Sequence, residues 1–188
     1  DEILSGRTLD TNSNYIAKKL IDVGIELVEV IVIQDNKKTI MEKVLNYSSK
    51  YSYVFTTGGI GPTHDDITSE SISEAFELNY EFNQKALEIL SNYYPKGEFN
   101  ESRQRMAKMP AGSELIINPM TAAPGFKIKN VYVLPGVPEI MQVMFTELVK
   151  TINKGNPKIT MTINTDLYES KIANHLKNIQ NQYKDSSI

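Results

Sequence analysis

The chain has no cysteine. That removes disulfides, thiolate nucleophiles and cysteine-based zinc sites together, and a reducing, cytoplasmic setting is expected. It also lacks any apolar stretch near the ~20 residues a bilayer span requires, and no charged-then-apolar leader opens it, so no membrane partner is expected. Nor is there an excess of positive charge: 20 Lys and Arg stand against 23 Asp and Glu, for a formal net charge of −3. A protein that binds nucleic acid by neutralising phosphates needs the opposite balance, so no nucleic-acid partner is expected either. Internal repeats and low-complexity segments are missing as well. What is present is ordinary: 188 residues, 40% hydrophobic and 23% charged, with a mean hydropathy of −0.31. One globular domain with a small appendage fits that length.

Asp1-Glu2-Ile3-Leu4 runs straight into the turn signal Ser5-Gly6, and a first strand upstream of it is expected. Asp10 or Thr11 is placed to cap a helix whose apolar positions Ile16, Leu20 and Val23 recur at helical spacing, with Gly24 as its stop. Ile25–Ile33 follows, a β-branched run without a polar face, which predicts a strand covered on both sides. Asp35-Asn36 opens a second helix through Ile40, Val44 and Leu45, and Tyr51–Thr57 predicts another strand. Thr68 or Ser71 starts a third helix, with Ser71 and Glu74 spaced as a capping box. Helices are expected around 83–93 and 100–108, short strands at Leu115–Ile117 and within Phe126–Leu134 (broken near Asn130), and a helix begun by Pro135-Gly136-Val137-Pro138-Glu139 that runs through Met141, Met144, Phe145 and Leu148. Strands alternating with helices imply an α/β fold, a three-layer α/β/α sandwich around a mostly parallel sheet. This domain spans 1–152, 153–157 reads as a linker, and 158–188 opens a second small α/β unit with a strand at Ile159–Ile163 and a helix carrying Ile172, Leu176 and Ile179. The end at Ser186-Ser187-Ile188 reads as the middle of that unit.

The informative stretch is Thr57-Gly58-Gly59-Ile60-Gly61-Pro62-Thr63-His64-Asp65-Asp66, at the carboxyl end of a predicted strand. Ligands of open α/β sheets sit beyond such ends. Glycines let a backbone approach phosphate oxygens and aim successive N–H groups at them, and the following helix adds its positive end. The adjacent carboxylates of Asp65 and Asp66 offer hard oxygen ligands to Mg²⁺ or a similar cation. On residue types alone, a plain glycine turn followed by a helix cap explains the stretch equally well. It is no P-loop, since no Lys-Ser/Thr follows the glycines, and it misses the dinucleotide fingerprint.

Several separated blocks, in order, resemble the molybdopterin-binding-like domain of the CinA (competence/damage-inducible protein) family. They are Asp1–Gly6, Asp10-Thr11-Asn12, Thr56–Thr68, Ala123-Pro124-Gly125-Phe126 and Leu134–Met141. The resemblance covers residues 1 to about 152, and the tail from Lys158 is similar to the start of the KH-like domain that follows in that family. It implies the molybdenum-cofactor-biosynthesis fold and a hydrolase of ADP-ribose-like nucleotides, giving AMP and a sugar phosphate, dependent on a divalent cation (Mg²⁺, Mn²⁺ or Co²⁺) and helped by K⁺. Homo-oligomerisation is expected of relatives of this fold. The alternatives are a molybdopterin-binding or adenylyltransferase protein, or a silent nucleotide-binding module.

On this basis Asp65 and Asp66 are the candidate metal ligands and, with Glu2, the candidate catalytic carboxylates. Gly58, Gly59 and Gly61 are expected to face phosphate; Thr57 and Thr63 are either hydroxyl donors to it or turn residues. Asp10 and Asn12 are either ligand-side groups or helix caps. Pro135-Gly136 is expected to fold over the pocket with Glu139 near the ligand, although a plain helix start explains them too. His64 is a candidate proton shuttle or a solvent-facing loop residue. Arg103 and Arg105 are candidate phosphate clamps, and His175 a surface residue.

Overall fold

A computed structural model describes residues 2–157 and 161–184, and the chain divides into two compact units, Asp1–Lys158 and Ile159–Ile188. In the first unit, α1 (Thr11–Asp22) begins where the Asp10 carboxylate accepts the Ser13 N–H at 2.9 Å, and it ends at Gly24 with φ 74°. The second helix, α2 (Lys37–Lys50), starts the same way, with Asn36 Oδ1 accepting the Thr39 N–H at 3.0 Å. Next come β1 (Val54–Thr57), α3 (Thr68–Ala75), β2 (Tyr80–Phe82), α4 (Gln84–Tyr93), α5 (Glu101–Arg105), β3 (Lys108–Pro110), β4 (Glu114–Ile116), β5 (Gly125–Ile128), β6 (Val131–Leu134) and α6 (Pro138–Leu148).

The main sheet has the order β1-β6-β5-β4. Parallel pairing joins β1 to β6, with Val54 opposite Val131 and Thr57 opposite Leu134; β6–β5 and β5–β4 are antiparallel. Asn130, in the β5–β6 turn, donates through Nδ2 to the Ser48 and Tyr51 carbonyls at 2.9 and 2.7 Å, which ties the hairpin to the end of α2. Side chains alternate across the sheet. Tyr132 and Leu134 pack with Ile16 and Leu20 of α1 and Met141, Met144 and Phe145 of α6. Val54, Val131 and Val133 pack on the other face with Ile40 and Val44 of α2, Ile72 of α3 and Leu90 of α4. Helices therefore cover both faces, and the three-layer α/β/α sandwich is the observed architecture; the sheet, however, is not mostly parallel among the described residues, because β4, β5 and β6 are joined antiparallel by short connections and only β1–β6 is parallel. Each large side chain so buried contributes roughly 1.5–3 kcal/mol.

Four local expectations need correction. The run Ile25–Ile33 is not a strand. A strand is defined by its ladder partners, and residues 27–33 make no backbone–backbone hydrogen bond among the described residues. The run is pinned instead by Glu29, whose carboxylate accepts the Tyr47 and Tyr51 hydroxyls at 2.7 and 2.6 Å. Ser71 does not open a capping box: α3 starts at Thr68, and the Ser71 hydroxyl donates to the Ile67 carbonyl at 2.7 Å inside the first turns. The helix near 100–108 stops at Arg105, because Lys108–Pro110 pairs antiparallel with Tyr80–Phe82 in a second, two-stranded sheet. Finally, the strand expected over 51–57 starts only at Val54.

In the second unit, α7 (Glu169–Gln182) carries Ile172, Leu176 and Ile179 at the expected helical spacing. The strand expected at Ile159–Ile163 begins outside the described residues, and His175 is exposed on α7. Among the described residues no helix is long and apolar enough to cross a membrane.

Candidate functional site

The glycine loop leaves β1 at the carboxyl end of the sheet. Gly58 donates its N–H to the Leu134 carbonyl at 3.0 Å, extending the β1–β6 ladder by one rung, and Gly59 then turns with φ 68°. A side chain at Gly59 would place its Cβ 2.0 Å from Thr68 Oγ1, so only glycine lets the loop lie against the start of α3, where Thr68 N–H donates to the Gly59 carbonyl at 2.9 Å. A second loop arrives from β6: a Cβ at Gly136 would sit 3.2 Å from the Gly58 Cα. Asn12, buried in the first turn of α1, donates through Nδ2 to the Gly136 carbonyl at 2.8 Å. Three segments far apart in sequence thus meet at one point.

Around that point lies a cavity of about 1530 Å³. Glu2, Asp10, Asn12, Thr57, Gly58, Gly59, Gly61, Asp65, Asp66, Pro135 and Gly136 border it, which brings together eleven of the thirteen predicted site residues. The other two lie elsewhere. Thr63 borders a neighbouring cleft of about 500 Å³ with His64 and Arg105, and Glu139 is exposed in the first turn of α6, where it suits the helix dipole. Asp10 is a helix cap, and Asn12 is not. Gly58 contributes close approach rather than a donor, since its N–H is committed to Leu134. The amides of Gly59, Ile60 and Gly61 have no protein acceptor among the described residues, so they are the ones free for an anion.

The two aspartates have separate roles. Asp66 is half-buried, and its Oδ2 accepts the Thr63 N–H and hydroxyl at 2.9 and 2.5 Å, closing the loop on itself. Its backbone carbonyl accepts Arg105 Nη2 at 3.2 Å. Asp65 is exposed, and its carboxyl is held below the usual carboxylate range, first by the polar Thr63 side chain beside it, then by its own backbone N–H, with His64 and Arg105 adding positive charge. Glu2, also exposed, is lowered chiefly by its own backbone N–H, while the negative charge of Asp65 pushes it the other way. Both residues border the cavity. Among the described residues no three His, Cys, Asp or Glu side chains cluster closely enough to cage a metal.

Arg103 is not a clamp for this cavity: it pairs with Glu98 at 3.0 Å and lies over the Tyr94 ring at 4.2 Å. Sequence reasoning missed Thr56, whose buried Oγ1 has no partner, and Thr68, which shapes the glycine turn. It also missed Asn118, which accepts the Met120 and Thr121 N–H groups and donates to Ala123, building the loop that borders the cavity from β4. Asn118-Pro119 is a recognisable turn signal. The remaining two carry no local signature.

Fold and site together define an α/β sandwich of the molybdenum-cofactor-biosynthesis type. Residues 1–154 match the family described as probable molybdopterin binding domain, and the chain belongs to it. Within that class the chain is similar to CinA. The crystal structure of the protein CinA from Thermoplasma acidophilum superposes with a TM-score of 0.74 at 30% identity, covering 80% of this chain and 91% of that one. A CinA-like protein of Thermosipho melanesiensis is 30% identical over the whole of this chain, which spans 49% of that relative's length. A protein from Archaeoglobus fulgidus is 35% identical over the whole chain and 80% of its own length.

Proposed function

We propose that the first unit hydrolyses the diphosphate of ADP-ribose-like nucleotides, giving AMP and a sugar phosphate, with the help of a divalent cation. One observation carries this reading: the unspent amides of Gly59, Ile60 and Gly61 border the same cavity as the ionised carboxylate of Asp65. The donor set suits Mg²⁺, Mn²⁺ or Co²⁺ held jointly with substrate. Such hard cations commonly take one or two carboxylates, several waters and the phosphates themselves rather than a closed protein cage. Asp65 would hold the cation, joined by the Oδ1 of Asp66, whose other oxygen is engaged by Thr63. When bound, the cation neutralises diphosphate charge and acidifies a water; K⁺ would add further counter-charge.

The remaining work falls to the chain. Amides of Gly59–Gly61 bind the non-bridging oxygens, and the Asn12–Gly136 hydrogen bond holds the Pro135 loop against Gly58 as the second wall. Water forms a P–O bond at the adenylate phosphorus while the bridging P–O bond breaks. The sugar phosphate leaves with the bridging oxygen, and the proton of the water passes to Glu2.

The test offers the 188-residue protein ADP-ribose, FAD and NADH with each cation and follows AMP. Asp65→Asn is expected to slow release about 10²–10³-fold, the usual cost of losing one charge-stabilising group. Absence of AMP from every substrate would overturn the reading. The family description favours a second one, a pterin-binding or adenylyltransferase protein, which predicts tight pterin binding without AMP release. Nucleotide binding without turnover would instead mark a silent module. Gel filtration with light scattering tests the proposed self-association.

A further inference from the structure

The loop between β4 and β5 is built around one side chain. Asn118 is buried, and its Oδ1 accepts the Met120 and Thr121 N–H groups at 2.9 and 3.2 Å. Its Nδ2 donates to the Ala123 carbonyl at 2.9 Å and to Thr121 Oγ1 at 2.7 Å. The amide has no freedom to flip: reversed, it would set an NH2 group against two N–H donors and an oxygen against a carbonyl. Thr121 is therefore the acceptor in its bond with Asn118, and its own hydroxyl proton is left to donate elsewhere. Among the described residues nothing accepts it, and Thr121 is half-buried on the border of the large cavity. Because β5 runs antiparallel to β6, with Phe126 opposite Val133, the loop emerges at the same sheet edge as Gly58 and Gly136. Beside it the cavity wall is apolar. Ile60, Ile67, Met106 and Ala123 border the cavity and pack against one core cluster, that of Phe126, Val133 and Ile72. Arg105 Nη2, bonded to the Asp66 carbonyl at 3.2 Å, ties the end of α5, and with it Met106, to the segment carrying Ile67.

We infer that this corner holds the adenine ring of the nucleotide, that Thr121 donates to an acceptor nitrogen on the ring's edge, and that Asn118 is the positioning residue for that donor. A flat ring needs apolar cover and a few fixed polar groups to orient it, and the corner offers both. Ile60 joins the two halves of the site: its N–H is one of the amides free for phosphate, while its side chain belongs to the apolar wall. A nucleoside phosphate engages both halves, whereas a bare sugar phosphate would leave the wall wet and the Thr121 hydroxyl unused. Accepting from Asn118 also polarises that hydroxyl and fixes its direction, so little freedom is lost when it binds. The assignment rests on the reading above only in placing phosphate at the amides of Gly59–Gly61, and it requires neither cation nor hydrolysis.

The test measures equilibrium binding of AMP and of ribose 5-phosphate by calorimetry, with the 188-residue protein and three variants. Thr121→Val keeps the shape and removes the donor; it is expected to weaken AMP about tenfold, the cost of an unmade hydrogen bond, and to leave ribose 5-phosphate unchanged. Thr121→Ser retains the hydroxyl and should bind AMP like the parent. In Asn118→Asp the carboxylate cannot donate and instead accepts the Thr121 proton, so preference for AMP over ribose 5-phosphate should fall as far as in Thr121→Val. Among 1-deaza-, 3-deaza- and 7-deaza-AMP, one should bind the parent about tenfold more weakly than AMP, yet bind Thr121→Val as AMP does. AMP affinity unchanged in Thr121→Val would overturn the assignment, as would an equal loss for both ligands or a parent protein that does not bind AMP. AMP release from ADP-ribose with no Thr121 effect on AMP affinity would sink this assignment and leave the reaction standing. Thr121-dependent AMP binding without any hydrolysis would do the reverse.

Discussion

Two β-branched runs in this chain read alike and end differently. Val131-Tyr132-Val133-Leu134 is buried along its whole length, flanked by β1 and β5. The stretch 25–33 is apolar at seven of nine positions, yet Val28 is 69% exposed and no ladder partner reaches it among the described residues. Propensity is the same; neighbours differ. What makes a strand is a pleated surface with partners on its edges and cover on its faces, and composition supplies only the willingness to join one.

The largest effects should follow that contrast. Leu134→Ala removes a side chain that is 0% exposed between α1 and α6 and should cost about 2–5 kcal/mol, read from chemical denaturation. Val28→Ala in the same 188-residue chain should stay within about 0.5 kcal/mol. Equal costs for the two substitutions would mean that the two runs do not differ in environment.

A second contrast sets the glycine loop against an ordinary turn. Gly59 and Gly112 both have positive φ, 68° and 80°, so alanine at either is strained by about 1–2 kcal/mol. Only at Gly59 would the new Cβ also meet Thr68, at 2.0 Å, whereas nothing lies within 4 Å at Gly112. Gly59→Ala should therefore lower Tm by clearly more than Gly112→Ala and abolish nucleotide binding, with Gly112→Ala binding normally in calorimetry.

The fold was legible wherever the signal was local. Asp10-Thr11 and Asp35-Asn36 announced helix starts, where Asp10 and Asn36 prove to be the caps; Gly24 announced a stop, and the stretch Pro135–Glu139 another start. The loop from Thr57 to Asp66 was placed correctly at a strand's carboxyl end because the strand–glycine–helix order is itself sequential. What stayed hidden depends on groups brought together only by folding. Lys108–Pro110 is too short and polar to declare itself a strand before Tyr80–Phe82 lies beside it. The division of labour between Asp65 and Asp66 is set by the direction in which Thr63 turns, and the meeting of Gly136 with Gly58 by the register of β1 against β6. Adjacent aspartates in a sequence look like a pair. In this fold both border the cavity, but only Asp66 closes the loop on itself through Thr63.

The smallest effect concerns the anchor that holds the unpaired run in place. Glu29 is exposed, and its carboxyl is kept below the ordinary range first by the Tyr51 hydroxyl, then by Tyr47, with Lys50 assisting. A depressed folded pKa means that the anchor contributes above the unfolded value, about 4.3, and is lost as pH falls through the lower folded one. Acidification should thus free residues 27–33 while the sheet persists, seen as chemical-shift changes confined to the run and to the Tyr47 and Tyr51 rings. The same contact raises the Tyr47 phenol above its usual value, chiefly through its hydrogen bond to Glu29. Glu29→Gln should bring that phenol back toward about 10 in an ultraviolet titration and abolish the acid transition of the run. Because the group is solvent-exposed, Tm should scarcely move. A Tm loss as large as that of Leu134→Ala would show instead that the run, although unpaired, is part of the core.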